Sequence, residues 1–168
     1  MERNNVLVCA VLAHLHNNNA FRTAFKGIVS KKQYGNPIEK SVALANLFSK
    51  MDDNITIINI NESCPIIKIG TVSIAVFTSS AKYPTYAGSI AIRKLPYGVD
   101  YTLCVDNDFN NWFLIDLATL KAMLANGKLI PQYTSTGIPF VGHKLFVNHF
   151  TTKEDFYALQ GVICKEKR

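Results

Sequence analysis

From Val6 to Leu15 almost every position is apolar, and the run stops at Asn17-Asn18-Asn19. A segment that is hydrophobic on nearly every side and ends in a polar cluster predicts a buried helix closed by a turn. Ala20 to Val29 predicts a second helix. Pro37 stands just ahead of Ile38-Glu39-Lys40, where a proline suits the first helical turn because its missing N–H has no partner to lose. Val42, Leu44, Ala45, Leu47, Phe48 and Met51 then recur at helical spacing, predicting an amphipathic third helix that ends near Asp52-Asp53-Asn54.

Beyond Asn54 the hydrophobic period changes to two. Ile55 to Ile60, Pro65 to Ile69, Val72 to Thr78, Gly88 to Arg93 and Val99 to Val105 are short runs rich in Ile, Val and Thr, punctuated by Gly, Pro, Asn or Ser. They predict strands. Asp106 to Asn111 has the composition of a hairpin loop leading into a strand from Trp112 to Ile115. Leu117 to Leu124 returns to helical spacing and stops at Asn126-Gly127. After Pro131 the chain is turn-rich, with a strand expected at Lys144 to Val147 and a short helix at Glu154 to Leu159, capped by Thr151 or Thr152. Helices, then strands, then a flanking helix predict an α/β or α+β fold with a mixed central sheet flanked by helices. There is no internal repeat.

The 168 residues fit one domain with a sizeable core: 48% of positions are hydrophobic and 18% charged. Within it, residues 1–34 form a helical segment, 35–125 a central core and 126–168 a C-terminal extension. Eighteen Lys and Arg against twelve Asp and Glu leave a formal charge of +6. Such a balance favours a polyanionic partner, because Lys and Arg gain affinity by displacing counterions from phosphates.

Cys9, Cys64, Cys104 and Cys164 are far apart and form no CxxC pair, which argues against a zinc knuckle or redox motif. The apolar run near the start is too short to span a bilayer and lacks a signal-peptide cleavage pattern, so a cytoplasmic protein without membrane association is expected. P-loop, GxGxxG, GxSxG and HExxH patterns do not occur.

Three segments, in order, bring a known group to mind. Gly35-Asn36-Pro37-Ile38-Glu39 runs into Val42 to Leu47; Ile74-Ala75-Val76-Phe77-Thr78-Ser79-Ser80 forms a compact apolar strand; and Gly98 to Val105 is followed by Asn111 to Asp116. This order resembles PD-(D/E)XK nucleases of the Holliday-junction-resolvase and homing-endonuclease type. The resemblance spans Gly35 to Leu124 and implies a restriction-endonuclease-like fold. In that superfamily a Glu on the first turn of the helix completes a Mg²⁺ site. The central strand carries an acidic residue or Gln, an apolar residue and then Lys, and an Asp-aromatic strand turns into an apolar strand that feeds a helix.

This chain departs from the pattern where the chemistry is. The acidic and lysine positions of the strand are Ala75 and Phe77, which can neither hold a metal nor polarise a phosphate. Glu39 matches the helix glutamate, and Glu62 is a second candidate, in the region where the first catalytic Asp belongs. With Ala75 and Phe77 in the strand only Glu39 carries over as a ligand, and one carboxylate holds a catalytic Mg²⁺ poorly. The resemblance therefore implies a degenerate site, with no cofactor expected and Mg²⁺ needed only if catalysis survives through relocated ligands such as Glu39, Glu62 and Asp52 or Asp53, assisted by Lys68 or Lys82. The plain reading of Ile74 to Ser80 is a core strand in which Phe77 packs.

For nucleic acid, the candidate contacts are Ser79, Ser80, Lys82, Tyr83 and Tyr86, where hydroxyls and an ammonium can meet phosphates and tyrosines can stack on bases. Arg22, Lys26, Lys31 and Lys32 form a second basic group, and Arg93 and Lys94 a third. Asp100, Asp106, Asp108 and Asp116 are the densest acidic group, with a divalent cation weighed against ordinary turn and cap roles. His14 and His16 lie on different faces of a helix. A thiol nucleophile would need His143 or His149 beside Cys64 or Cys104.

The expectation is therefore a nucleic-acid-binding protein, DNA more than RNA, with a nuclease-like fold and degenerate catalysis, working as a homodimer or within a protein complex. The alternatives are an active Mg²⁺-dependent endonuclease, or a protein-interaction or inhibitory module using Phe77, Tyr83, Tyr86 and Trp112.

Overall fold

A computed structural model of the chain describes residues 2–30, 37–59, 65–78, 89–91, 98–110, 112–126, 132–133, 139–142 and 162–165. Three helices come first: α1 (Glu2–His16), α2 (Asn19–Ser30) and α3 (Pro37–Met51). The asparagine cluster both ends α1 and starts α2. The Asn17 N–H bonds back to the Ala13 carbonyl at 3.1 Å, while Asn18 Oδ1 accepts the N–H of Phe21 at 3.0 Å as an N-cap. Helix α3 opens on its proline, as its sequence predicts, and Asp52 closes it. Asp52 Oδ1 accepts the Asn54 N–H at 2.8 Å, a side-chain turn that redirects the chain into the sheet.

The strands β1 (Ile55–Asn59), β2 (Ile66–Ile69) and β3 (Val72–Thr78) form an antiparallel meander. Between β2 and β3 the turn is Gly70-Thr71, and Gly70 has φ of +61°, which favours glycine. Strand β4 (Ser89–Ala91) leaves this sheet, and β5 (Tyr101–Val105) returns parallel to β3, with Ile74 opposite Tyr101 and Phe77 opposite Cys104. The β5–β6 hairpin, with β6 at Trp112–Asp116, feeds directly into α4 (Leu117–Ala125). In a small second sheet the short strand β8 (Pro139–Gly142) pairs antiparallel with β4 on one side and with β7 (Gln132–Tyr133) on the other, and β9 (Val162–Lys165) pairs antiparallel with β6.

The main sheet is thus mixed and six-stranded, in the order β1-β2-β3-β5-β6-β9. With four described helices it makes an α+β fold, in line with the mixed sheet flanked by helices that the sequence predicts. Strand β9 is an addition: the sequence reading places no strand there. The strand expected at 144–147 and the helix expected at 154–159 lie outside the described residues.

One face of the sheet presents Ile67, Ile69, Val72, Ile74, Val76, Leu103, Val105 and Leu114 to the helices. They pack with Val8, Leu12 and Leu15 of α1, Phe21 and Phe25 of α2, and Leu44 and Phe48 of α3 in one continuous core. Alternation along the strands sends Ile66, Ala75, Phe77, Thr102, Cys104 and Ile115 to the opposite face, and these too are buried. Burial on both faces explains why β3 and β5 read as near-continuous apolar runs rather than alternating ones.

Candidate functional site

Strand β3, which carries Ala75 and Phe77, is the third of the six strands, held between β2 and β5. Ala75 is fully buried and Phe77 is 6% exposed. Ala75 sits opposite Ile66 on one side and Thr102 on the other, and Phe77 is level with Cys104. Neither position opens on solvent where a phosphate or metal could approach. The plain reading of the strand as core is the one the geometry bears out.

Glu39 occupies the first turn of α3 and is exposed. Helix α3 packs on the face that receives Ile74 and Val76, whereas Ala75 and Phe77 project to the other face. The helix glutamate and the two strand positions therefore belong to opposite sides of the sheet. Beside Glu39, Lys40 is half-buried, and desolvation lowers its ammonium pKa from the ordinary lysine value. Of the further carboxylates weighed for metal binding, Asp52 is engaged in the turn that ends α3, Asp53 is exposed, and Glu62 lies outside the described residues.

The four aspartates around the β5–β6 hairpin separate into two pairs. Asp100 and Asp116 lie at one end, next to the Tyr101–Asp116 rung, and Asp106 and Asp108 lie past the Val105–Trp112 rung at the other. The strand between them spans about 15–20 Å at roughly 3.4 Å per residue, too far for one cation. Each pair has a backbone task. Asp100 Oδ2 accepts the N–H of Ser73 at 2.9 Å and its hydroxyl at 3.1 Å, pinning β5 to β3 where their parallel pairing begins. Asp116 Oδ1 accepts the Thr119 N–H at 3.2 Å and so caps α4. Asp106 Oδ1 accepts the Asn110 N–H at 2.8 Å across the loop, and Asp108 Oδ1 accepts the same N–H at 3.1 Å. Among the described residues no group of three or more His, Cys, Asp or Glu is placed to hold a metal ion.

The loop of that hairpin is where the helices and the sheet lock together. Phe109 is fully buried although its φ is +58°, in the left-handed region that costs a non-glycine residue about 1 kcal/mol. Its ring meets Phe21 and Phe25 edge-on at centroid distances of 5.2 and 5.3 Å, with Phe48 at 6.1 Å and Trp112 at 6.3 Å. Burial of a phenylalanine ring contributes about 1.5–3 kcal/mol, with more from the edge-to-face pairs, so packing outweighs the backbone strain. His16 Nδ1 lies 3.0 Å from the Phe109 carbonyl oxygen, which accepts from the Nδ1–H tautomer.

Arg22 is part of this lock. Its Nε donates to the Asp108 carbonyl at 3.1 Å and an Nη to Asn110 Oδ1 at 3.3 Å. Sequence reasoning groups Arg22 with Lys26 as a basic cluster, and one helical turn does separate them. Lys26 is exposed, whereas the guanidinium of Arg22 is turned to the loop. Lys31, Lys32, Ser79, Ser80, Lys82, Tyr83, Tyr86, Arg93 and Lys94 lie outside the described residues, as do His143, His149 and Cys64. Lys68 on β2 is exposed.

Two other residue groups are placed in the core. Cys104 is completely buried, and desolvation pushes its thiol pKa far above the ordinary range, so it forms no thiolate for nucleophilic attack. Trp112 and Phe77, weighed as members of an aromatic contact surface, are both buried.

A feature missed by sequence reasoning is a cleft of about 520 Å³ at the end of the sheet where β3 and β5 begin. Thr71, Val72, Val99 and Tyr101 line it with Leu117, Ala118 and Lys121 of α4, and Asp100 and Asp116 complete it. No helix among the described residues is long and apolar enough to cross a membrane. No protein-family model matches the chain, and no similar curated protein or solved structure is found.

Proposed function

We propose that this chain is a nucleic-acid-binding protein of nuclease-like arrangement in which strand β3 has lost its catalytic chemistry. The observation that carries the reading is the burial of Ala75 and Phe77 inside the sheet of a protein with a formal charge of +6. Where a nuclease would present a carboxylate and a lysine, this chain spends both positions on packing. It keeps a cationic excess of the kind that phosphates attract.

The order of elements supports the reading. Glu39 lies in the first turn of a helix, the apolar strand β3 follows, and the β5–β6 hairpin feeds α4, the sequence of parts the resemblance implies. Lys26 is exposed on α2, and Lys31 and Lys32 follow that helix in the chain. Ser79, Ser80, Lys82, Tyr83 and Tyr86 come directly after β3, and Arg93 and Lys94 precede β5. These residues supply the phosphate contacts and stacking rings, with DNA preferred to RNA, and the protein acts in the cytoplasm as a homodimer or within a larger complex.

The test is a gel-shift titration with duplex, branched and single-stranded DNA and with RNA, with and without Mg²⁺ or Mn²⁺. Binding without cleavage is expected, with log K falling linearly as log salt rises. Replacing Lys26, Lys31 and Lys32 together by Ala should flatten that slope by about 2–3, at roughly 0.9 per lost phosphate contact on duplex DNA.

A further inference from the structure

The cleft between the start of β5 and the first turn of α4 has a lining that does not include β3 positions 75 and 77. We infer that it binds a small organic cation, an ammonium or guanidinium group carried on an apolar or aromatic body.

Its volume of about 520 Å³ falls within the ordinary range for small-molecule sites of about 300–1,000 Å³. The apolar part of the lining comes from Val72, Val99, Tyr101, Leu117 and Ala118. Among the described residues the ionic lining is two carboxylates, Asp100 and Asp116, against one ammonium, Lys121. In a chain with an overall excess of positive charge, the described lining of this concave spot has the opposite balance.

Both carboxylates are held in place before any ligand arrives. Asp100 is anchored through Oδ2 by the Ser73 N–H and hydroxyl, and its own N–H donates to Ser73 Oγ at 3.0 Å. Asp116 is anchored through Oδ1 at the start of α4, where the same contact offsets the positive end of the helix dipole. Among the described residues, no hydrogen bond occupies Asp100 Oδ1 or Asp116 Oδ2. Each is an acceptor whose carboxylate is already ordered, so a donor that reaches it loses little to reorganisation. A cation with several N–H donors meets that pattern, whereas an anion would face two carboxylates. A metal ion is disfavoured because, among the described residues, the cleft offers two carboxylates and no third ligand of the His, Cys, Asp or Glu type.

The experiment uses three probes of matched body and different charge, phenethylamine, phenylalanine and 3-phenylpropionate, titrated into the full chain at pH 7 and followed by amide chemical shifts. The expected result is saturable binding that weakens in that order, with shifts concentrated at 98–101 and 116–121. Asp116→Asn retains a good N-cap, and Asp100→Asn retains an acceptor for Ser73, so each removes charge while keeping the local bonds. Each should weaken phenethylamine binding about fivefold, the size expected for a solvent-accessible ion pair. Should Asp100→Asn fail to fold, Asp116→Asn decides alone. Equal binding of all three probes, preference for the anion, shifts elsewhere in the protein, or affinity unchanged in Asp116→Asn would overturn the assignment. So would the absence of saturation by any probe at millimolar concentration.

Discussion

Arg22 on α2 donates from Nε to the backbone carbonyl of Asp108, 3.1 Å away and 86 residues later in the chain. With a second bond to Asn110 Oδ1, it fastens the β5–β6 loop to the helical layer. Arg22→Ala leaves a half-buried carbonyl without its donor and should cost about 1–2 kcal/mol, within the range for hydrogen bonds from charged groups. Lys26→Ala, one turn further on at an exposed position, should cost less than about 0.5 kcal/mol. Urea unfolding of the two variants separates the structural cation from the surface one. Equal midpoints would show that Arg22 contributes nothing to the lock.

Phe109 combines a buried ring with a left-handed backbone, and the two can be separated by mutation. Phe109→Ala removes the ring but keeps the unfavourable φ, and should lose about 3–5 kcal/mol. Phe109→Gly removes both. The usual penalty for glycine relative to alanine should therefore be reversed, leaving the glycine variant up to about 1 kcal/mol the more stable. Thermal melts of the pair test this, and a less stable glycine variant would deny the strain.

Much of this arrangement is legible from local pattern. The helix boundaries at Asn17–Asn19, Pro37 and Asp52 are marked by residues whose side chains or ring geometry act within a turn, and the strand runs from Ile55 to Val105 follow from β-branched content. What the pattern does not reveal is pairing at a distance. Strand β9 is four residues before a charged tail, and only its partner β6, some fifty residues earlier, makes it a strand. Arg22 reads as a phosphate contact because its acceptors are a backbone carbonyl and an asparagine far along the chain, and neither leaves a trace in the composition around it. The aspartates at 100 and 116 look like one group with 106 and 108 until the hairpin extends and carries them to opposite ends. Ala75 and Phe77 are the contrary case: their chemistry alone excludes metal binding, and burial agrees.

Introducing the nuclease pattern into β3 should fail because these positions are buried. Ala75→Glu with Phe77→Lys places a carboxylate and an ammonium on a buried face, where desolvation is not recovered by water. The double variant should be destabilised by more than about 3 kcal/mol. It should show no Mg²⁺-dependent cleavage of DNA in a gel assay. Cleavage by a folded double variant would mean that the face opens to solvent.

Cys104 has a pKa raised by burial, so the thiolate is suppressed in the folded protein even at alkaline pH. Native protein should leave Cys104 unmodified by iodoacetamide at pH 7 and at pH 9, whereas unfolding in guanidinium should expose it fully. Peptide mass mapping reads this directly. Rapid native modification at pH 9 would indicate that β5 opens locally.

The proposed binding of nucleic acid without catalysis is tested most directly by the equilibrium affinity for a labelled duplex across a salt series, run in parallel with a Mg²⁺ cleavage assay. A salt-dependent affinity with intact substrate is the predicted result. Either the absence of binding to duplex, junction, single strand and RNA at low ionic strength, or metal-dependent cleavage, would contradict it.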